Sequence, residues 1–116
     1  MTDSIHKKHA FAPIRAREEK EQPLSEKQIE QKLVEAVKRM GGIAPKFVSP
    51  GLNGVPDRIV LLPDGHMAFV ELKSPGKKMR PIQMRRKKQL EGLGFRVYCI
   101  DGAGQIGGVI DEIRTT

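Results

Sequence analysis

Two apolar, strand-like segments, separated by a short turn, constrain the fold of this chain more than any other feature. Residues 57–62 read Asp-Arg-Ile-Val-Leu-Leu, and residues 67–73 read Met-Ala-Phe-Val-Glu-Leu-Lys. Residues 63–65 (Pro-Asp-Gly) supply turn chemistry between them. This pattern predicts a β-hairpin in which Leu62 pairs with His66 across a three-residue loop.

The loop length decides which side chains share a face of the hairpin. With three loop residues and Gly65 in the left-handed conformation, Asp57 lies directly opposite Glu71, with Cβ atoms ~5 Å apart. Residues two apart in a strand project from the same face, so Lys73 joins them. A loop of two or four residues would instead place Asp57 opposite an apolar residue and on the other face. The predicted pairing of Asp57 with Glu71 therefore requires a loop of three residues.

This hairpin carries the chemistry that the sequence suggests. Two carboxylates at such a distance repel each other unless a cation lies between them, and carboxylate oxygens suit Mg²⁺. A metal at Asp57 and Glu71 would fit phosphodiester hydrolysis, with Lys73 positioning the attacking water or stabilising developing charge. The alternative is a salt bridge among the three side chains with no catalysis.

The motif Glu-x-Lys is weak by itself, because it occurs three times, at residues 18–20, 30–32 and 71–73. Only the third lies in a predicted strand. That strand is apolar enough to be buried, and a buried carboxylate and ammonium are costly unless they are paired or bound to a metal.

Capping and periodicity predict helices on either side of the hairpin. Ser25 and Gln28 form a capping-box pattern, apolar residues follow at helical spacing, and Gly41 and Gly42 end a helix over 26–40. Proline in a first turn and a terminal Gly94 predict a second helix over 81–93. A weaker helix, interrupted by two glycines, is expected after residue 105.

The remaining segments complete an α/β fold. Residues 43–48 form a short extended piece in which Pro45 favours an edge or irregular position, and residues 95–100 form a clear strand. The predicted order is α-β-β-β-α-β-α, with a mixed sheet flanked by helices and a parallel last pairing. Residues 1–24 are expected to be a flexible arm, and residues 25–116 one domain.

The first helix adds a candidate acid. Glu30 shares a face with the apolar positions 33, 34 and 37, so it could reach the same metal through a water. Glu26, one turn earlier, is a second candidate. The alternative for Glu30 is a glutamate at the rim of the core, paired with Lys27 or Lys38.

Positive charge is concentrated in one part of the chain. The formal net charge is +7, yet residues 72–96 hold nine lysines and arginines and one acid. Such a block suggests that the chain binds a polyanion, most often nucleic acid. A helix face that is simply exposed to solvent would show the same pattern. With four Phe, one Tyr and no Trp, extensive base stacking is not expected. The candidate phosphate contacts are Lys77, Lys78, Arg80, Arg85, Arg86, Lys87 and Lys88.

Composition narrows the class of protein further. The single cysteine, Cys99, excludes a disulfide framework and a thiolate metal cluster within one chain, and suggests a reducing cytoplasm. No apolar run approaches the ~20 residues of a membrane span, so no membrane partner is expected.

The ordered motifs resemble those of a known family. Gly-Val-Pro-Asp-Arg at 54–58 and Phe-Val-Glu-Leu-Lys at 69–73 look like the PD-(D/E)XK nuclease superfamily. Ile-Glu at 29–30, Lys-Phe-Val-Ser-Pro-Gly at 46–51 and Gln83 narrow the resemblance to the VRR-NUC domain, the virus-type replication-repair nuclease. The resemblance covers residues 25–113.

The resemblance implies a restriction-endonuclease-like core that holds Mg²⁺, or Mn²⁺, through Asp57, Glu71 and the backbone carbonyl of Leu72. It implies catalytic roles for Lys73, and for Glu30 and Gln83 as well. No small-molecule organic cofactor is expected.

Stand-alone members of this family are typical of phage-like genomes, and they resemble Holliday-junction resolvases in being small and dimeric. The expected function is therefore a structure-selective DNA endonuclease, dimeric and acting on four-way junctions in the cytoplasm of a bacterial or phage-infected cell. The alternatives are a non-catalytic module that binds branched DNA, a flap nuclease and a sequence-specific nuclease.

Overall fold

Three helices surround a small mixed sheet in the part of the chain that the structure describes. A computed structural model describes residues 23–115, so most of the predicted N-terminal arm lies outside the described residues. The elements are α1 (Glu26–Arg39), β1 (Arg58–Leu61), β2 (Met67–Leu72), α2 (Pro81–Gly92), β3 (Val97–Ile100) and α3 (Ile106–Arg114). Short 3₁₀ turns occupy Pro63–Gly65 and Ala103–Gln105.

The first helix begins as its sequence predicts. The Ser25 hydroxyl accepts the backbone N–H of Gln28 at 3.2 Å, and the Gln28 side chain accepts the N–H of Ser25 at 2.8 Å. This reciprocal capping satisfies two backbone donors that a helix N-terminus otherwise leaves free. Gly41 follows the helix with a φ of +85°, a conformation that favours glycine.

The hairpin has the predicted register. β1 pairs antiparallel with β2, with Arg58 opposite Val70 and Leu61 opposite Met67. The N–H of Leu62 donates to the carbonyl of His66 at 2.8 Å. Gly65 has a φ of +79°, as the three-residue loop requires. Continued by one pair, this register sets Asp57 across from Glu71.

The sheet is mixed, with strand order β1-β2-β3, because β3 pairs parallel with β2. Helix α2 forms the crossover between these two strands, as the sequence predicts. The predicted fold class is confirmed: a mixed sheet flanked by helices in a restriction-endonuclease-like arrangement.

One predicted strand is reduced to isolated contacts. Ile43 bridges to Leu61 and Lys46 bridges to Arg58, both antiparallel, without a continuous ladder between them. Pro45 between the bridges has no N–H to donate, which accounts for the interruption. The segment therefore lies along the free edge of β1 without forming a regular strand.

The two faces of the sheet differ in what they carry. Ala68, Val70 and Leu72 of β2 point into the core, where they meet buried residues of α1 and α3. The other face carries Phe69, stacked against Phe47 with ring centroids 5.5 Å apart, and then Glu71. No helix among residues 23–115 is long and apolar enough to cross a membrane.

Candidate active site

The candidate site lies where β1 begins and β2 ends. Asp57 immediately precedes β1, Glu71 lies near the end of β2, and Lys73 follows that strand. The hairpin register therefore brings together the three residues that the sequence singles out.

Glu71 is the centre of this site, and its side chain is almost completely buried, at 1% exposure. Its Oε2 atom lies 3.1 Å from the ammonium of Lys73 and accepts a 2.6 Å hydrogen bond from Nε2 of Gln83. Its Oε1 atom is buried and has no hydrogen-bond partner among the described residues. A buried carboxylate oxygen without a partner is costly, so this atom is available to a ligand that is not protein.

The electrostatics agree with that geometry. Burial, followed by the nearby charge of Asp57, raises the pKa of the Glu71 carboxyl above its usual value. Lys73 offsets this in part, and Glu26 adds a smaller upward contribution to the pKa. The charged form of Glu71 is therefore disfavoured in the protein alone, and a cation beside the two carboxylates would stabilise it.

Asp57 is fixed by the backbone of the opposite strand. Its Oδ2 atom accepts the N–H of Leu72 at 2.8 Å. In an antiparallel pair the N–H and C=O of one residue point to the same side, so the carbonyl of Leu72 also faces Asp57. The carbonyl that the resemblance implies as a ligand thus lies on the side of β2 that faces Asp57.

Gln83 is positioned by the start of α2. It lies in the first turn, at 6% exposure, where its Oε1 accepts the N–H of Arg80 at 2.8 Å while its amide group donates to Glu71. One side chain thus caps the helix and fixes the orientation of the buried carboxylate. Sequence reasoning took Gln83 from family resemblance alone, because nothing in the local pattern marks a glutamine as buried.

Glu30 is bound to a different partner from those that its sequence context suggested. Its Oε2 atom lies 2.8 Å from Nε of Arg58, and the same guanidinium donates to the carbonyl of Ala44 at 2.7 Å. Neither Lys27 nor Lys38 is the partner. The other candidate acid of α1, Glu26, raises the pKa of Glu71 slightly.

The residues present fit a hard divalent cation. Among residues 23–115 no cluster of three or more His, Cys, Asp or Glu side chains has metal-binding geometry. The candidate ligand set is therefore two carboxylates and one backbone carbonyl, with the remaining positions left to water and substrate. Mg²⁺ is commonly held in this way, because it keeps several waters and also takes phosphate oxygens.

The predicted phosphate contacts fall into two groups. Five are exposed and form no ion pair within the described residues: Lys77, Lys78, Arg80, Arg85 and Lys88. The other two have structural partners. Nε of Arg86 donates to the carbonyl of Asn53 at 2.8 Å, and Lys87 pairs with Glu91 at 2.9 Å.

Comparisons of the sequence and of the fold with known proteins agree with these features. No family model matches the chain. A protein of Acyrthosiphon pisum secondary endosymbiont phage 1, named "Putative nuclease p44", is 51% identical over 78 residues, which are 67% of this chain and 84% of that protein.

Two solved structures share the fold. One, described as a VRR_NUC domain, superimposes with a TM-score of 0.70 at 27% identity and covers 76% of this chain and 97% of its own. Another, described as a VRR_NUC domain protein, has a TM-score of 0.62 at 21% identity, and the match covers 81% of this chain and 91% of that protein. The chain belongs to the VRR-NUC family of nucleases.

Proposed function

We propose that this nuclease is a Mg²⁺-dependent, structure-selective DNA endonuclease that hydrolyses phosphodiester bonds, with four-way junctions as its main substrate. Mn²⁺ is expected to support the same activity. The observation that carries the proposal is the buried Glu71, with one oxygen unpartnered among the described residues, beside Asp57 and Lys73.

The residues of the site have distinct roles in this proposal. Asp57, Glu71 and the Leu72 carbonyl hold the metal, which supplies Lewis-acid charge to the phosphate when bound. Lys73, 3.1 Å from Glu71, presents its ammonium where it orients the attacking water or stabilises charge on the phosphate. Gln83 keeps Glu71 in one orientation through their 2.6 Å hydrogen bond.

The basic surface supports DNA as the substrate. Lysines and arginines of the loop after β2 and of α2 lie directly beyond Lys73 in the chain, and five of them are free to meet phosphates. Contacts to phosphates position a nucleic acid without reading its sequence. This favours recognition of shape over recognition of sequence.

The four-way junction and the dimer are proposed together. A four-way junction has two-fold symmetry, so paired incision fits a two-fold enzyme dimer that carries two copies of this site. A small protein that reads shape gains a defined pair of cutting positions from such symmetry.

Cleavage of labelled junctions, flaps and linear duplex in Mg²⁺ and in EDTA tests the proposal. We expect nicking of branched DNA in Mg²⁺ and none in EDTA. Asp57→Ala removes the activity, whereas Asp111→Ala, which removes an exposed aspartate of α3, leaves it intact. Binding that is sensitive to salt but indifferent to Mg²⁺, without nicking, would instead identify a DNA-binding module.

A further inference from the structure

A short loop rises from the candidate site and returns to it. We call residues 48–56 the arch. At its base the N–H of Phe47 donates to the carbonyl of Asp57 at 2.8 Å, and Lys46 bridges to Arg58. Both ends of the arch are therefore fixed beside a residue of the candidate metal site.

The arch is also attached to helix α2. Arg86 donates to the carbonyl of Asn53 at 2.8 Å. Gly54, with a φ of +78°, packs so closely on the helix that a Cβ atom there would lie 2.7 Å from the carbonyl oxygen of Ile82. Within the loop, the N–H of Leu52 donates to the carbonyl of Ser49 at 3.2 Å. These contacts hold the arch in a defined shape.

This braced loop presents aliphatic side chains to solvent. Val48 is 75% exposed and Leu52 is 37% exposed, with the exposed Pro50 between them. Apolar side chains exposed together on one loop beside the candidate active site indicate a surface that a binding partner covers.

The charges around the arch indicate what covers it. Lys46 at its base is exposed, and Arg86 attaches the arch to the basic helix α2. A second copy of the chain would bring the same positive surface against this one. A nucleic acid supplies the complementary charge with its phosphates and an apolar surface with its bases.

We propose that Val48, Pro50 and Leu52 form an aliphatic wedge that packs against the unstacked base pair at a branch point. Proteins that deform DNA insert apolar side chains of this kind between base steps. In a continuous duplex the wedge must first separate stacked bases, whereas at a branch the stack is already interrupted. Because the free-energy cost of separating bases is smaller at a branch, the wedge favours branched DNA. The inference rests on the proposed function and assigns its selectivity for branched DNA to these three residues.

A fluorescence experiment tests the wedge separately from cleavage. A synthetic four-way junction carries 2-aminopurine next to the branch, a linear duplex of matched sequence carries it at the same position, and both are titrated in EDTA. The test variant is Val48→Ser/Leu52→Ser. The control is Ile43→Ser/Leu93→Ser, which removes two aliphatic side chains that are 58% and 68% exposed and lie outside the arch.

We expect the test variant to lose about tenfold of the preference for junction over duplex, equivalent to roughly 1.4 kcal/mol, together with the rise in 2-aminopurine fluorescence. The control should keep both. The single substitution Val48→Ser, at the more exposed position, should show a smaller loss of the same kind and guards against misfolding of the double variant.

Three results would overturn the proposal. The first is a test variant that keeps both the preference for junction over duplex and the fluorescence change, and the second is a control variant that loses both equally. The third is a test variant that changes from dimer to monomer by light scattering while the control does not. If no branched DNA is cut in Mg²⁺ while the fluorescence still depends on the arch, the nuclease proposal fails and the wedge stands.

Discussion

The side-chain amide of Gln83 donates a 2.6 Å hydrogen bond to the buried carboxylate of Glu71, and so ties the first turn of α2 to the end of β2. The same glutamine accepts the N–H of Arg80 at 2.8 Å. One residue therefore connects the start of the basic helix to the candidate metal site, and a change at Gln83 should affect both.

Replacing Gln83 by alanine should impair catalysis more than substrate binding. Glu71 would lose a partner that fixes its orientation, and the N–H of Arg80 would lose its acceptor. We expect kcat to fall about 10- to 100-fold with little change in KM, and stability to fall by about 1–3 kcal/mol. Steady-state cleavage and urea unfolding measure both. Gln31→Ala, on an exposed position of α1, is the matched control, and an equal loss there would contradict the assignment.

Glu71→Gln should stabilise the metal-free protein at neutral pH while it abolishes cleavage. Because the pKa of Glu71 is raised in the folded protein, its contribution to stability is present below the unfolded pKa and is lost as pH rises through the folded pKa. The neutral glutamine does not titrate. The difference in stability between the variant and the wild type should therefore grow as the pH rises from the unfolded pKa of Glu71 through its folded pKa.

Thermal unfolding in EDTA at a series of pH values measures this effect. In saturating Mg²⁺ the order should reverse, because a ligand that binds only the folded wild type adds about 2.7 kcal/mol at 100 times its Kd. A variant that is less stable than wild type at neutral pH in EDTA would show that the charge of Glu71 is not a net cost to the fold.

Arg85 and Lys88 should contribute to DNA affinity through phosphates. Removing one phosphate-binding side chain lowers the slope of log K against log salt by about 0.9, so Arg85→Ala/Lys88→Ala should reduce the slope by about two. Fluorescence anisotropy across a salt titration measures the slope. Lys32→Ala/Arg39→Ala removes the same charge from exposed positions of α1. An equal change in slope there would mean that the effect depends on net charge alone.

Arg86, although it belongs to the same basic helix, should behave differently. Its guanidinium holds the carbonyl of Asn53 in the arch, so Arg86→Ala should lower stability by about 1 kcal/mol and reduce cleavage of branched DNA. Arg85→Ala should leave stability within about 0.5 kcal/mol of wild type. If the two variants differ only in DNA affinity, Arg86 is a phosphate contact and not an anchor.

Gly54→Ala should disturb the arch from within. Its φ of +78° disfavours any side chain, and a Cβ atom would lie 2.7 Å from the carbonyl oxygen of Ile82. We expect a loss of about 1–3 kcal/mol in stability together with reduced cleavage. Gly51→Ala, in the same loop with open space around it, should be nearly neutral. Equal effects of the two substitutions would show that the close approach to Ile82 is unimportant.

The parts of the fold that sequence reasoning recovered are those set by local chemistry. Capping residues mark the start of α1, and the need for glycine at a positive φ marks Gly65, so the hairpin register follows and brings Asp57 across from Glu71. The family resemblance then pointed to nuclease chemistry, with which the related phage protein and the VRR_NUC structures agree.

The parts that it missed depend on contacts between distant segments. Arg58, and neither nearby lysine, pairs with Glu30, because the start of β1 and the face of α1 meet only in the folded chain. Leu93, the last residue of the helix predicted over 81–93, is 68% exposed although it is apolar, whereas the polar Gln83 in the first turn is buried. The anchoring of the arch by Arg86 has no local signal, because a basic residue in a basic run is expected to face solvent.

The most direct test of the central claim is the location of a bound metal. A crystal soaked in Mn²⁺ and measured at the manganese edge should show an anomalous peak between the carboxylates of Asp57 and Glu71, about 2.0–2.2 Å from an oxygen of each. The Leu72 carbonyl should be among the ligands. A soaked crystal with no peak there, or with Mn²⁺ bound only at other residues, would contradict the proposed metal site.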